Sequence, residues 1–172
     1  MKDVSVLFKP FESKKLTLKN RIIMAPMTRN KSPGYKPNDD VTAYYRRRAE
    51  NEVGLIITEG TTVNHPGAAG YADVPAFHGE ALEGWKKVVD AVHAAGGKIA
   101  PQLWHVGTIR KPGVGPYPEA PAYGPSGLLF PGKKRGETMT QADIDAAIKA
   151  FADGAADAKK IGFDAVEIHG AH

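Results

Sequence analysis

Short apolar runs alternate with amphipathic stretches along most of the chain. The apolar runs predict buried strands over residues 21–27, 55–60, 98–104 and 163–168. Between them, apolar side chains recur at three- and four-residue spacing, which predicts helices over about 39–51, 81–95 and 141–161. Strands that are apolar on both faces and alternate with helices indicate a parallel sheet covered by helices, an α/β fold.

The predicted helices carry signals at their ends. Asp39 or Asp40 is expected to cap the first helix. Thr140 is expected to cap the third helix, with Asp143 completing a capping box and Gly162 supplying the C-terminal turn. A single apolar stripe is expected along this third helix, formed by Ile144, Ala147, Ile148, Phe151, Ala155 and Ala158.

Three other segments interrupt the regular alternation. The segment from Leu7 to Leu18 predicts a small hairpin ahead of the first strand. Pro101 lies inside the third strand and cannot donate to a hydrogen-bond ladder, so either a bulge or a missing hydrogen bond is expected there. Residues 106–139 form a Gly/Pro-rich insertion far longer than an ordinary connection, which predicts a lid or a pocket wall.

Two architectures fit strands that alternate with helices. A doubly wound sheet favours a glycine-rich phosphate loop after its first strand, and Thr28-Arg29-Asn30 stands there instead. A (β/α)8 barrel, or TIM barrel, gathers polar side chains at the carboxyl ends of its strands. The predicted strands end in this way, with Thr28, Glu59, Gly60, Gln102, Trp104, His105, His169 and His172. The barrel is therefore the favoured fold.

Composition limits the classes of function. The chain has 172 residues, a net charge of +4 and no cysteine. This modest charge gives little support for a nucleic-acid partner, and the missing thiols exclude disulfides and cysteine-ligated clusters. No apolar run is long enough for a transmembrane helix, and the first residues lack a signal-peptide pattern. We therefore expect a cytoplasmic protein without a membrane partner.

Several motifs occur in an order that resembles one known family. They are Asn20-Arg21-Ile22-Ile23-Met24-Ala25-Pro26-Met27-Thr28-Arg29, Gly54-Leu55-Ile56-Ile57-Thr58-Glu59-Gly60, Pro101-Gln102-Leu103-Trp104-His105-Val106-Gly107 and Val166-Glu167-Ile168-His169-Gly170-Ala171-His172. Together they resemble the Old Yellow Enzyme family of flavin-dependent ene-reductases, from about Leu7 to His172. The resemblance implies an FMN-binding (β/α)8 barrel that uses NAD(P)H to reduce electron-poor alkenes.

The resemblance also implies positions for the cofactor. Thr28 would hydrogen-bond the flavin near C4=O and N5, with Pro26 and Met27 along the same edge. Gly60 has no side chain, which permits close approach to a planar ring. Gln102 carries a donor and an acceptor, which suit the flavin's pyrimidine edge.

The substrate pocket is implied in the same way. Trp104 shares its strand face with Gln102 and would line the pocket together with Tyr71. His169 and His172 would both donate hydrogen bonds to the oxygen of an α,β-unsaturated carbonyl, polarising the alkene as hydride arrives. His169 would also contact the flavin. Two imidazoles three residues apart could instead be metal ligands, but no third ligand accompanies them, so no metal site is expected.

A barrel of eight βα units needs about 250 residues. The four strands and three helices of this chain therefore predict the first half of such a barrel, as a single incomplete domain over residues 1–172. The family's proton donor, a Tyr two residues after the second His, would follow His172. We expect weak activity or none, with self-association through exposed sheet edges. Two other hypotheses remain: a catalytically dead protein that binds flavin or carbonyl compounds, and a non-flavin barrel lyase or hydrolase.

Overall fold

A computed structural model describes residues 3–171. Its α-helices are α1 Asp39–Glu50, α2 Ala81–Ala94 and α3 Gln141–Ile161. Its strands are β1 Phe11–Glu12, β2 Thr17–Leu18, β3 Ile23–Met24, β4 Leu55–Thr62, β5 Ile99–Trp104, β6 Tyr123–Gly124, β7 Leu128–Phe130, β8 Lys133–Lys134, β9 Glu137–Thr138 and β10 Glu167–Ile168. The first and fourth predicted strands, β3 and β10, are much shorter than the apolar runs that predicted them, and the prediction that they are buried is wrong, since neither contains a buried residue.

Four parallel strands form the central sheet, in the order β10-β5-β4-β3. Each strand is added on the same side of the strand before it, with one helix in each connection. A doubly wound sheet would reverse this order at a switch point, whereas sequential addition is how a barrel is built. The predicted barrel-type α/β fold is thereby confirmed, and self-association through the outer strands β3 and β10 stays a prediction.

The expected bulge at Pro101 is present. Ile57 pairs with Ala100, but the next pair is Gly60 with Gln102, so β4 spans one more residue than β5. The extra residue lies opposite Pro101, where no N–H is available for the ladder. The bulge thereby accommodates the proline within the sheet.

The main core lies between the sheet and its helices. Trp85 of α2 is fully buried, donates from its indole N–H to the carbonyl of Ala76 at 2.9 Å, and contacts three aromatic rings. Those rings belong to Tyr45, Phe77 and Phe163. The predicted N-terminal hairpin is also present as β1 paired with β2, and it places Leu18 against Leu55 and Ala100 in a separate apolar cluster.

The predicted cap of the first helix needs correction. α1 begins at Asp39, but its cap is Asn38, whose side chain accepts a hydrogen bond from the backbone N–H of Val41. Asp39 and Asp40 instead occupy the first turn, where their charge complements the helix dipole. The capping box of Thr140 and the left-handed Gly162 at the end of α3 are confirmed.

The apolar stripe predicted on α3 is divided between two environments. Of the stripe only Ala158 is buried, and the other buried residues of α3, Ala150 and Gly154, lie outside it; all three are small enough to lie close to the sheet. Ile148 is 62% exposed, because the amino-terminal half of the stripe faces an open cavity rather than the core. Within residues 3–171 no helix is both long and apolar enough to cross a membrane.

Candidate functional site

An aromatic cluster occupies the carboxyl end of the sheet. The ring of Tyr71 stacks on the indole of Trp104, with centroids 5.7 Å apart and planes 22° apart. The imidazole of His169 meets the same indole edge-on at 5.9 Å. The fold therefore brings together three of the predicted pocket residues, although they come from separate segments of the chain.

Gly60 lies directly beneath this cluster. A β-carbon on Gly60 would be 2.3 Å from Cε3 of Trp104, far inside any van der Waals contact. The planar ring that approaches this glycine in the structure is thus the indole of Trp104. Gly60 consequently supports the pocket wall as well as being a predicted cofactor contact.

Gln102 is held in a defined orientation. It is 7% exposed, and its amide N–H donates to Oε1 of Glu167 on the neighbouring strand at 2.6 Å. Its backbone N–H donates to the hydroxyl of Thr58, in the bulge of β4, at 3.1 Å. These contacts leave the amide oxygen of Gln102 as the end that suits an N–H donor of a bound ring.

Pro26, Met27 and Thr28 form the segment that follows β3. Met27 is 52% exposed and Thr28 is exposed, so both are accessible to a ligand. Within residues 3–171 no hydrogen bond connects Thr28 to Gln102, and the segment is attached through the next residue, Arg29. His172, the second imidazole of the predicted pair, lies outside the described residues.

A pair of histidines lies beside the cluster. Nε2 of His105 is 2.9 Å from Nδ1 of His65, and the backbone N–H of Gly107 donates to Nδ1 of His105. Since Nδ1 of His105 accepts, Nε2 carries the proton and donates to His65. Burial, followed by the nearby His65 and Arg110, lowers the pKa of His105 to about 4, and burial also lowers the pKa of His65, so both rings are neutral near pH 7.

Arg110 organises the loop in front of the cluster. Its buried guanidinium donates to the carbonyls of Ala69, Tyr117 and Ala120, the last at 3.1 Å. Burial lowers the pKa of this arginine. Because Ala69 is two residues before Tyr71, these bonds fix the loop that places the tyrosine ring over Trp104.

The 106–139 insertion forms one wall of a cavity of about 580 Å³. The opposite wall comes from α3, and His105 and His169 also line the cavity. The wall is mainly apolar, with Ile109, Leu129, Met139, Ile144, Phe151 and Ile168. The insertion contains β6 to β9 as two small sheets, which shape it into the expected pocket wall.

The residues at this edge fit the polar groups of a flavin. They offer a hydroxyl, an amide and an imidazole, neutral donors and acceptors of the kind that an alternating pyrimidine edge requires. Among residues 3–171, no three His, Asp or Glu side chains converge into a group that could hold a metal ion. The arrangement is chemically suited to orient a planar heterocycle and to donate a hydrogen bond to an oxygen beside it.

Several residues that shape this site carry no sequence pattern that indicates their roles. They are Arg29, His65, Arg110 and Glu167, together with Tyr45 beneath β4. One signal was visible: Glu59 is a carboxylate within a run predicted to form a buried strand, a position that needs a partner. Its partner, Arg29, is 30 residues earlier, so spacing alone could not identify it.

Comparison with known proteins gives matches along nearly the whole chain. A putative 12-oxophytodienoate reductase 2 from Oryza sativa subsp. japonica is 36% identical over 180 residues, covering 99% of this chain and 46% of that protein. An NADPH dehydrogenase from Halalkalibacterium halodurans is 38% identical over 168 residues, covering 96% and 48%. The chain thus spans about half the length of the curated relatives it matches.

Solved structures agree with these sequence matches. Morphinone reductase superposes with a TM-score of 0.84 at 37% identity, over 95% of this chain and 47% of that chain. An Old Yellow Enzyme from Pichia sp. AKU4542 gives a TM-score of 0.86 at 34% identity, over 95% and 45%. The family model for NADH:flavin oxidoreductases and NADH oxidases matches residues 6–172. The predicted resemblance is confirmed, and the chain belongs to the NADH:flavin oxidoreductase / NADH oxidase family, which includes the Old Yellow Enzymes.

Proposed function

We propose that this chain contributes the amino-terminal half of an FMN-dependent ene-reductase site. The observation that carries the proposal is the cluster of Tyr71, Trp104 and His169 beside the oriented amide of Gln102. The chemistry that FMN supplies when bound is transfer of hydride from NAD(P)H, through its N5 atom, to the β-carbon of an α,β-unsaturated carbonyl or nitro compound.

The proposed cofactor residues divide into two groups. Thr28 offers a hydroxyl donor, with Pro26 and Met27 along the same edge. Gly60 and Gln102 come from paired positions of β4 and β5, which places them side by side at the carboxyl end of the sheet. This pairing supports the assignment of both residues to one ligand.

The proposed substrate residues polarise and enclose the alkene. His169 donates a hydrogen bond to the substrate oxygen, and a donor aimed at developing negative charge lowers the barrier to hydride arrival. Its ring is steadied edge-on by Trp104, and its backbone N–H donates to the carbonyl of Leu103 at 3.0 Å. His172 is proposed as the second donor, and Tyr71 as a further wall of the pocket.

Hydride transfer can be tested by titrating the purified chain with FMN and then following NADPH and NADH oxidation with cyclohexenone as acceptor. In keeping with the weak activity predicted from the sequence, we expect weak FMN binding and, at saturating FMN, slow oxidation of the nicotinamide that depends on the enone. His169→Ala should lower the enone-dependent rate constant about 10²-fold, as loss of an oxyanion donor does, while flavin reduction by NADPH is retained. His78→Ala, in the loop before α2, is the matched control.

The outcomes separate the remaining hypotheses. Tight FMN binding without oxidation of NADPH would support a catalytically dead flavin-binding protein. A wild-type chain that binds no FMN in the titration, and whose NADPH consumption is unaffected by the enone, would overturn the proposal. The family match already favours a flavin oxidoreductase over the non-flavin lyase or hydrolase.

A further inference from the structure

A buried ion pair connects the two segments proposed to contact the flavin from β3 and β4. Glu59 precedes Gly60, and Arg29 follows Thr28. The side chain of Glu59 is fully buried, and that of Arg29 is 16% exposed. The pair therefore lies next in sequence to both proposed cofactor contacts, and it is shielded from solvent.

The carboxylate binds main chain as well as side chain. Oε2 of Glu59 accepts the backbone N–H of Arg29 at 3.1 Å, and Oε1 accepts Nε of the same arginine at 3.1 Å. Oε1 also accepts from Nη2 of Arg29. The bond to the main chain fixes the peptide that joins Arg29 to Thr28, so this carboxylate determines where the threonine backbone lies relative to β4.

Helix α1 holds both partners from below. The backbone N–H of Glu59 donates to the hydroxyl of Tyr45 at 2.9 Å, and the guanidinium of Arg29 lies 3.8 Å from the ring centroid of Tyr44. Burial, with the charge of Glu59 in second place, raises the pKa of Tyr45, so its hydroxyl stays neutral. Arg48 contacts the ring of Tyr44 as well, at 3.6 Å.

Stability alone is a poor explanation for such a pair. Removing two charges from water carries a large desolvation cost, and well-packed apolar residues often stabilise a core equally well. A forked guanidinium on a carboxylate does supply directional bonds that apolar packing lacks. The pair is thus better suited to fixing geometry than to adding stability.

We propose that Arg29 and Glu59 are positioning residues that hold Thr28 and Gly60 in register for the flavin, an inference that rests on the proposed function. They act through the backbone of their sequence neighbours and need no contact with the flavin. The consequence is that weakening the pair changes the flavin environment and the order of both segments together.

The first arm of the test uses the flavin-free chain. Backbone amide hydrogen exchange is measured over residues 26–30 and 58–62 in wild type, Glu59→Gln and Arg29→Lys. We expect exchange in both segments to become at least about tenfold faster in each variant. Glu80→Gln, which breaks the exposed ion pair with Lys36, is the matched control and should leave both segments unchanged.

The second arm uses the FMN-loaded protein and reads the visible absorption spectrum and the midpoint potential of the flavin. Arg29→Lys should shift both in the same direction as Thr28→Ala, and the shifts in the double variant should be smaller than the sum of the two single shifts, since part of the Arg29→Lys effect acts through Thr28. A lower melting temperature with an unaltered spectrum and potential would show a merely structural role and overturn the inference.

The two arms also separate this inference from the proposed function. If the wild-type chain binds no FMN, the proposed function fails, while the exchange arm still decides whether the pair orders both segments. If exchange in both segments is unchanged by Glu59→Gln and Arg29→Lys, the inference fails whether or not FMN binds.

Discussion

Substituting alanine for Gly60 tests whether the aromatic cluster depends on the missing side chain. The new β-carbon would lie 2.3 Å from Cε3 of Trp104, against an optimal carbon–carbon separation of about 3.5 Å, an overlap of roughly 1.2 Å. Trp104 is held by Tyr71 on one side and His169 on another, so the indole or β4 must move.

The expected cost follows from this overlap. Overpacking a filled site costs about 1–3 kcal/mol. For a chain of this length each kcal/mol lowers the melting temperature by about 2–4 °C, so Gly60→Ala should lower it by about 2–12 °C. The displaced indole should also change the tryptophan emission, because the other tryptophan, Trp85, is fully buried away from the cluster.

Thermal unfolding followed by circular dichroism, together with emission spectra, measures both effects. Gly170→Ala is the matched control, since a β-carbon there has no described atom within 4 Å and the backbone does not need glycine. If Gly60→Ala matched wild type and the control in melting temperature and emission, the close approach of Gly60 to Trp104 would be refuted.

Three further predictions concern stability. Asp164→Asn should lower the free energy of unfolding at pH 7 by about 1–2 kcal/mol. Burial raises the pKa of Asp164, but hydrogen bonds from Lys98, His93 and Ile99 outweigh it and lower the pKa. The stability difference between the variant and wild type should therefore shrink as the pH falls below about 4. Urea unfolding across this pH range measures the difference, and a difference that stays constant with pH would contradict the prediction. The pKa of His105 is lowered to about 4 in the folded chain, so the free energy of unfolding should decrease as the pH falls from 6.5 toward 4, by about 2 kcal/mol at pH 5. Urea titrations of His105→Gln should show that this decrease is abolished. Gly154→Ala should raise the free energy of unfolding, measured in urea, by about 0.5–1 kcal/mol, because alanine has a higher helix propensity than glycine. The new β-carbon would lie at ordinary contact distance from Leu103 and Val63. A lower free energy of unfolding would contradict this prediction.

Much of the fold was predictable because each element carries its own local signal. Helix periodicity, the capping box at Thr140 and the left-handed Gly162 are properties of short segments, and the structure contains them. The cap of α1 was misplaced by one or two residues, because Asn38 and the two aspartates are all good capping residues. The bulge opposite Pro101 could be predicted, since a missing N–H must be accommodated somewhere.

The site was predictable only in part, because side chains meet across long stretches of sequence. Tyr71, Trp104 and His169 were expected at one pocket because they match the motifs of a family, and no local pattern showed their ring contacts. The stripe on α3 was wrong in its packing because periodicity identifies an apolar face without identifying what covers it.

By itself, the sequence determined the alternation of strands and helices, the polar residues at the strand ends and the membership of the flavin oxidoreductase family, because these depend on local spacing and contiguous motifs. The tertiary structure alone decided which distant groups share one environment. The guanidinium of Arg29 donates to the carboxylate of Glu59, and the amide of Gln102 donates to the carboxylate of Glu167. Burial makes an unpaired polar group costly, so the partners are selected by the folded geometry, which sequence separation does not reveal.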